Sequence, residues 1–165
     1  MKSILKVKGK KDYFLLIISL IFTLGLPAII SIVTRNAPTI YKVLVKPSFS
    51  PPPTVFAIVW PILYFMMGLA FYRILMLGKL GYDVNKEIIL FVIQFALNLL
   101  WSIIFFYFNL RFLAFIELFI LIIFIIFTTV AFYKKDKIAG LLLLPYLIWS
   151  SFALILNYQI YKLNK

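Results

Sequence analysis

The chain has 165 residues, 65% of them hydrophobic and 13% charged, with a net charge of +12 and a mean hydropathy of +1.09. That composition excludes a water-soluble domain, and the length leaves room for one domain. Cysteine and histidine are both absent. This excludes disulfides, Cys/His zinc sites, His or Cys axial ligation of haem, and nucleophilic catalysis by a Ser-His-Asp or Cys-His set.

The N-terminus carries Lys2, Lys6, Lys8, Lys10 and Lys11 ahead of an apolar run at 13–33. It imitates a secretory signal, but the run is too long for a signal core and no small-x-small cleavage site comes after it, so we read a retained first span. Four more stretches are nearly free of charge, at 54–77, 88–109, 112–133 and 138–161. Each has about the 20 residues that a helix needs to cross a hydrocarbon core roughly 30 Å thick. The expected fold is an all-α integral membrane protein, one domain over 1–165, built as a five-transmembrane-helix bundle.

Five spans place the termini on opposite sides of the bilayer. The N-terminal side holds the five lysines above with Arg73, Lys79, Lys86, Lys134, Lys135 and Lys137; the other holds Arg35, Lys42, Lys46, Arg111, Lys162 and Lys165. The excess predicts a cytoplasmic N-terminus in a multi-pass protein of the cell membrane. It also accounts for the net charge through contact with lipid headgroups, so the expected partner is the bilayer and not nucleic acid.

The first loop, 34–53, is the longest connection. It runs from Arg35-Asn36-Ala37-Pro38 through Tyr41 to Lys46-Pro47-Ser48-Phe49-Ser50-Pro51-Pro52-Pro53. Proline fixes φ and lacks a donor, so the last three prolines suit the entry to a helix and not its middle. A stiff, partly apolar loop of this kind is either a lid over one end of the bundle or a rigid tether at headgroup level.

The second span places Phe56, Trp60 and Tyr64 at i+4 steps, with Ala57 beside them. In the third, Phe91, Gln94, Asn98, Trp101 and Phe105 recur at i+3 and i+4 and share a face, with Ser102 adjacent. Asn98 must find partners at mid-membrane depth, either on a neighbouring helix or on a ligand. The connection near Asn109-Leu110-Arg111 is so short that the third and fourth spans are antiparallel neighbours. Glu117 is the only acidic residue deep in a span. With no second carboxylate at that depth, a proton relay is not expected, and the plain expectation is a neutral carboxyl bonded to a neighbouring helix. The fifth span sets Trp149, Ala153, Leu156 and Ile160 on one stripe. Such aromatic stripes either pack the bundle or wall a pocket against which a planar ligand stacks. Its end, with Leu156, Tyr158 and Lys162, fits a sterol-contact pattern and equally an interfacial anchor.

Taken together, these residues resemble the TspO/MBR family, which includes the translocator protein, or peripheral-type benzodiazepine receptor, and the tryptophan-rich sensory proteins. Tyr41 with Lys46-Pro47-Ser48-Phe49-x-Pro51-Pro52 is similar to the family's first loop, and Val55-Phe56-x-x-Val59-Trp60-x-x-Leu63-Tyr64-x-x-Met67-Gly68 to its second helix. Gln94-x-x-x-Asn98-x-x-Trp101-Ser102-x-x-Phe105-Phe106 resembles the third helix, and Ala114-x-x-Glu117 with Thr128-Thr129-Val130-Ala131-Phe132-Tyr133 the fourth. Leu144-Pro145-Tyr146-x-x-Trp149-x-x-Phe152-Ala153-x-x-Leu156-Asn157 resembles the fifth. The likeness runs from about Tyr41 to Asn164. Where many bacterial members carry Trp or Pro, this chain has Thr54, Ile58 and Ile103.

The resemblance implies a compact five-helix bundle, often a homodimer, although no small-xxx-small seam stands out around Ala96. It implies a pocket open toward the first loop that binds porphyrins. By position, Trp60, Asn98 and Trp149 resemble the family's pocket residues, with Ala57, Tyr64, Ala153 and Leu156 as lining, and Tyr41 resembles the tyrosine of the covering loop. Leu156, Tyr158 and Lys162 would be the sterol-recognition segment.

The stripes and the resemblance converge on Tyr41, Phe56, Ala57, Trp60, Tyr64, Asn98, Trp101, Trp149, Ala153 and Leu156 as ligand-binding residues. The expected function is tetrapyrrole binding with a regulatory or transport-linked role. Stacking on Trp60 and Trp149, a hydrogen bond from Asn98 and apolar burial would supply the affinity. No metal site or required cofactor is expected, and porphyrin or haem is the candidate ligand. The alternatives are a light- and oxygen-dependent porphyrin degradation involving Trp60 and Trp149, or a small transporter of hydrophobic compounds.

Overall fold

The computed structural model describes residues 4–165, so Lys2 of the basic N-terminus lies outside the described residues. Among the described residues, six helices account for most of the chain. Helix α1 (Tyr13–Val33) starts where the Asp12 carboxylate accepts from the Leu15 N–H at 3.0 Å, a side-chain cap that occupies one orphan donor of the first turn. A π-helical turn at Ile21–Gly25 interrupts it. Helix α2 (Ala37–Val43) is short. The remaining four are long: α3 (Pro53–Lys79), α4 (Asn85–Tyr107, its last turn π-helical from Ile103), α5 (Arg111–Lys135) and α6 (Lys137–Leu163).

Five of these helices, all but α2, are long and apolar enough to span a bilayer. Large apolar side chains on their outer faces, such as Phe14, Ile58 and Ile148, are exposed, as lipid-facing residues are. The chain is a multi-pass membrane protein, and the five spans agree with the sequence expectation to within three residues at each end. The first loop departs from it: residues 37–43 coil into α2, with Pro38 in the first turn where its missing N–H has no bond to lose.

Around the bundle the order is α1, α3, α6, α5, α4, closing where the second half of α1 meets α4. Helices α4 and α5 are antiparallel, joined by a tight turn in which Asn109 takes a positive φ of 56°. Two glycines permit close helix approach. The Ser19 hydroxyl of α1 donates to the Gly68 carbonyl of α3 at 2.7 Å. A Cβ on Gly140 would stand 2.5 to 2.7 Å from the Cβ, Cα and N of Tyr133, so α5 and α6 touch backbone to backbone there.

The half of the bundle toward the N-terminus is solid. Phe91 stacks between Phe71, at 4.2 Å and 7°, and Phe132, at 5.7 Å, with Met67, Ile74 and Phe95 buried around it. That end is closed by the N-terminal segment. Val7 is 1% exposed and pairs with Lys10 in a tight turn. The Arg73 guanidinium, almost fully buried, donates through Nε and Nη2 to the two Asp136 oxygens at 2.9 and 2.7 Å, and through Nη1 to the carbonyls of Ile4 and Lys6. The Tyr72 hydroxyl donates to Leu5 O at 3.0 Å, and Lys79 pairs with Asp12. Burial pushes the Asp136 carboxyl up, but the Arg73 bonds, the Ala139 N–H and the Arg73 charge outweigh it, and the group sits below the usual range. The Lys79 bond likewise holds the Asp12 carboxyl low.

Candidate functional site: an aromatic pocket under the first loop

At the opposite end the helices diverge around a cavity of about 380 Å³, within the range of small-molecule sites. Its walls come from five helices. Helix α1 gives Ser31 and Thr34; α2 and its approach give Arg35, Pro38 and Tyr41; α3 gives Phe56, Ala57 and Trp60. Helix α4 supplies Trp101, Ser102, Phe105 and Phe106, and α6 supplies Ala153, Leu156, Asn157 and Ile160. The π-helical turn that ends α4 lies at this cavity, and the adjacent Phe105 and Phe106 within it both reach the wall.

The first loop is held in place as a wall of this cavity. Tyr41 is 7% exposed. Its hydroxyl is hydrogen-bonded with Ser50 and donates to Pro51 O at 3.0 Å, while its ring meets Phe56 edge-on at 5.2 Å. Burial raises the Tyr41 pKa above its ordinary value, partly opposed by the Ser50 bond. Lys46 Nζ donates to the carbonyls of Tyr41 and Leu44, both at 2.8 Å, closing the C-terminal end of α2 where carbonyls lack helical partners. Asn164, just past α6, pairs with both backbone groups of Val45 at 3.0 and 2.8 Å. The loop therefore forms one wall of the cavity.

Deeper in, the Trp101 indole N–H donates to Asn157 Oδ1 at 3.2 Å, and Asn157 Nδ2 donates to Arg111 O at 3.1 Å, tying α4, α6 and α5 together. Trp60 stacks on Tyr64 at 5.4 Å and 25°. Below this floor is a void of about 10 Å³ lined by Trp60, Asn98, Trp101, Leu118, Leu121 and Ala153, about the space of one water.

The structure thus brings Tyr41, Phe56, Ala57, Trp60, Trp101, Ala153 and Leu156 to one cavity. Asn98 sits beneath the floor, where its oxygen accepts from the Tyr64 hydroxyl at 2.9 Å; both residues are one layer below the main wall. Trp149 is also displaced from the expected wall. It lies behind Phe56, whose ring meets it edge-on at 5.7 Å, because Phe56 is large enough to cover it. The expected sterol segment does not form one surface. Leu156 points inward at 4% exposure, whereas Tyr158 is 44% exposed and packs on Phe115. Residues two apart on a helix face nearly opposite ways, and Lys162 lies on the outer side with Tyr158. Glu117 also departs from expectation: both its oxygens are buried, and no donor among the described residues reaches them.

Sequence reasoning missed Ser31, Thr34, Arg35 and Pro38 as wall residues. The i+3 step from Ser31 to Thr34 at the end of an otherwise apolar span is the signal that marks them. Asn157 and Phe106 were visible only as neighbours of the stripes.

The sequence profile of the TspO/MBR family matches residues 17–163. The tryptophan-rich protein TspO of Chlorobaculum tepidum is 45% identical over 124 residues, which cover 75% of this chain and 78% of that protein. The tryptophan-rich sensory protein of Cereibacter sphaeroides is 36% identical over 124 residues, 75% of this chain and 76% of its own. The human translocator protein is 37% identical over 127 residues, 75% of this chain and 74% of its own.

Proposed function

The chain belongs to the TspO/MBR family, and on that premise we propose that it binds a porphyrin-type tetrapyrrole in the pocket under the first loop, in a sensory or translocator role. The observation that carries the reading is the wall itself: Tyr41, Phe56, Trp60, Trp101, Phe105 and Phe106 surround one cavity inside a membrane bundle. Flat π-faces suit a flat conjugated guest, and each stacked ring adds to what apolar burial alone supplies. Trp60 and Trp101 are the stacking residues in this reading, and Trp149 supports Phe56 from behind. The closed N-terminal end favours binding and release through the lid end over passage straight through the bundle. The surplus of basic residues on the N-terminal side supports a cytoplasmic N-terminus, with the pocket facing the opposite side of the cell membrane.

Titration of the purified protein with protoporphyrin, followed by tryptophan fluorescence, tests the reading. Saturable quenching is expected, weakened strongly by Trp60→Ala and less by Trp149→Ala. Quenching that never saturates would overturn it.

A further inference from the structure

The pocket wall is apolar and aromatic except at one place. Among the described residues Arg35, just beyond α1, is its only charged lining residue, and it is exposed. Most other polar groups of the wall are already engaged. The Thr34 hydroxyl donates to Ile30 O at 3.0 Å, and that of Ser31 to Ala28 O at 2.6 Å. Tyr41 and Asn157 are held by the bonds described above. Among the described residues, no hydrogen bond or ion pair engages the Arg35 guanidinium.

The charge around it is one-sided. Of the five acidic side chains, Asp12, Asp83, Glu87 and Asp136 lie toward the N-terminal end, and Glu117 lies in the pocket-side half of α5 with both oxygens buried; none lines the cavity. The pocket end carries six cations, and Lys46, in the same loop as Arg35, is bonded to backbone carbonyls. An arginine that has no carboxylate partner among the described residues and lines the rim of an aromatic pocket is placed to receive an anion from outside the protein. Its planar fork of donors matches a carboxylate in two parallel bonds.

We infer that Arg35 is a carboxylate anchor, and that the site selects flat apolar molecules carrying acid groups on one edge: the ring enters among the aromatic side chains while the acid edge stays at the mouth. The inference rests on the porphyrin reading above and deepens it. Protoporphyrin has this shape, with two propionates on one side of the macrocycle, and its dimethyl ester keeps the ring and removes both charges.

The test compares the free acid with the dimethyl ester on the wild type, Arg35→Gln and Arg35→Lys, in a non-ionic detergent. The free acid should bind the wild type more tightly than the ester does. Arg35→Gln should weaken the free acid by about two- to fivefold, the range of a solvent-exposed ion pair, and leave the ester unchanged. The unchanged ester affinity also reports that the variant is folded. Arg35→Lys should recover part of the loss, since it keeps the charge without the fork. Added salt should weaken the free acid on the wild type and have little effect on Arg35→Gln. If acid and ester bind alike and Arg35→Gln changes neither, the anchor is overturned while the porphyrin pocket stands; that is also the outcome if Arg35 serves only a lipid phosphate. If neither compound binds the wild type saturably, both readings fail.

Discussion

The two ends of this bundle are built from opposite materials. At the N-terminal end a buried guanidinium, a carboxylate and a returning backbone segment lock three elements together over a solid aromatic core. At the other end six aromatic residues surround open space, and the polar contacts serve mainly to hold the lid. The contrast arises from what each end has to do. At the closed end the buried guanidinium of Arg73 is met by Asp136 and two carbonyls, since a buried charge without partners is costly. In the proposed reading, the pocket end leaves apolar surface uncovered until a ligand arrives.

The sharpest way to break this division is Arg73→Leu. Removing the guanidinium leaves the part-buried Asp136 with only its cap bond from the Ala139 N–H and frees the Ile4 and Lys6 carbonyls, which costs about 2–3 kcal/mol. The melting temperature in detergent should drop markedly, whereas the porphyrin affinity of the molecules still folded should hold. The pH dependence adds a check. The Asp136 pKa is lowered in the folded protein, so its stabilisation is present above the unfolded value of 3.8 and is lost as pH falls through the folded one. That loss on acidification should be reduced in Arg73→Leu. Gly140→Ala tests the same half through packing. Its Cβ would meet the Tyr133 backbone, which cannot swing aside as the Thr23 and Leu20 side chains facing Gly68 can. A cost of about 2–3 kcal/mol is expected, with Gly68→Ala milder.

At the pocket end, volume should matter to binding and little to stability. Ala153 borders both the main cavity and the small void beneath it. Ala153→Phe should fill space that is empty without the ligand, weakening porphyrin by more than about tenfold, or about 1.4 kcal/mol. The melting temperature should stay near that of the wild type. A large fall in stability with unchanged binding would mean that the site lies elsewhere.

The spans were legible because bilayer thickness dictates their length, and the inward faces because helical periodicity orders the side chains. Phe91, Gln94, Asn98 and Phe105 are all buried, as their spacing demands. Periodicity gives a direction but not a depth. It could not show that Phe56 covers Trp149, or that Asn98 answers Tyr64 below the floor. The π-helical turns had no signature, since i to i+5 bonding sets no residue pattern. Helix α2 was hidden among prolines that suggest a loop, although Pro38 suits a first helical turn. Arg35 read as one more headgroup cation because the sequence does not reveal which rim residue borders a cavity. The sterol segment was a different matter: helix geometry alone separates Leu156 from Tyr158.

The smallest effect should come from the lid. Tyr41→Phe keeps the ring against Phe56 and removes only the hydroxyl that bonds with Ser50 and Pro51 O. The net loss is about 1 kcal/mol, typical of a part-buried hydrogen bond. It should fall on the loop and not on the bundle, because none of the spans depends on that hydroxyl. Amide exchange should therefore quicken over residues 44–52 and remain slow around Phe91 and Arg73. Porphyrin should dissociate faster with little change in its association rate, since a looser lid retains a ligand less well without altering the aromatic wall. Equal quickening at both ends would mean that the lid and the Arg73 latch are one cooperative unit, and the separation of closure from binding would not hold.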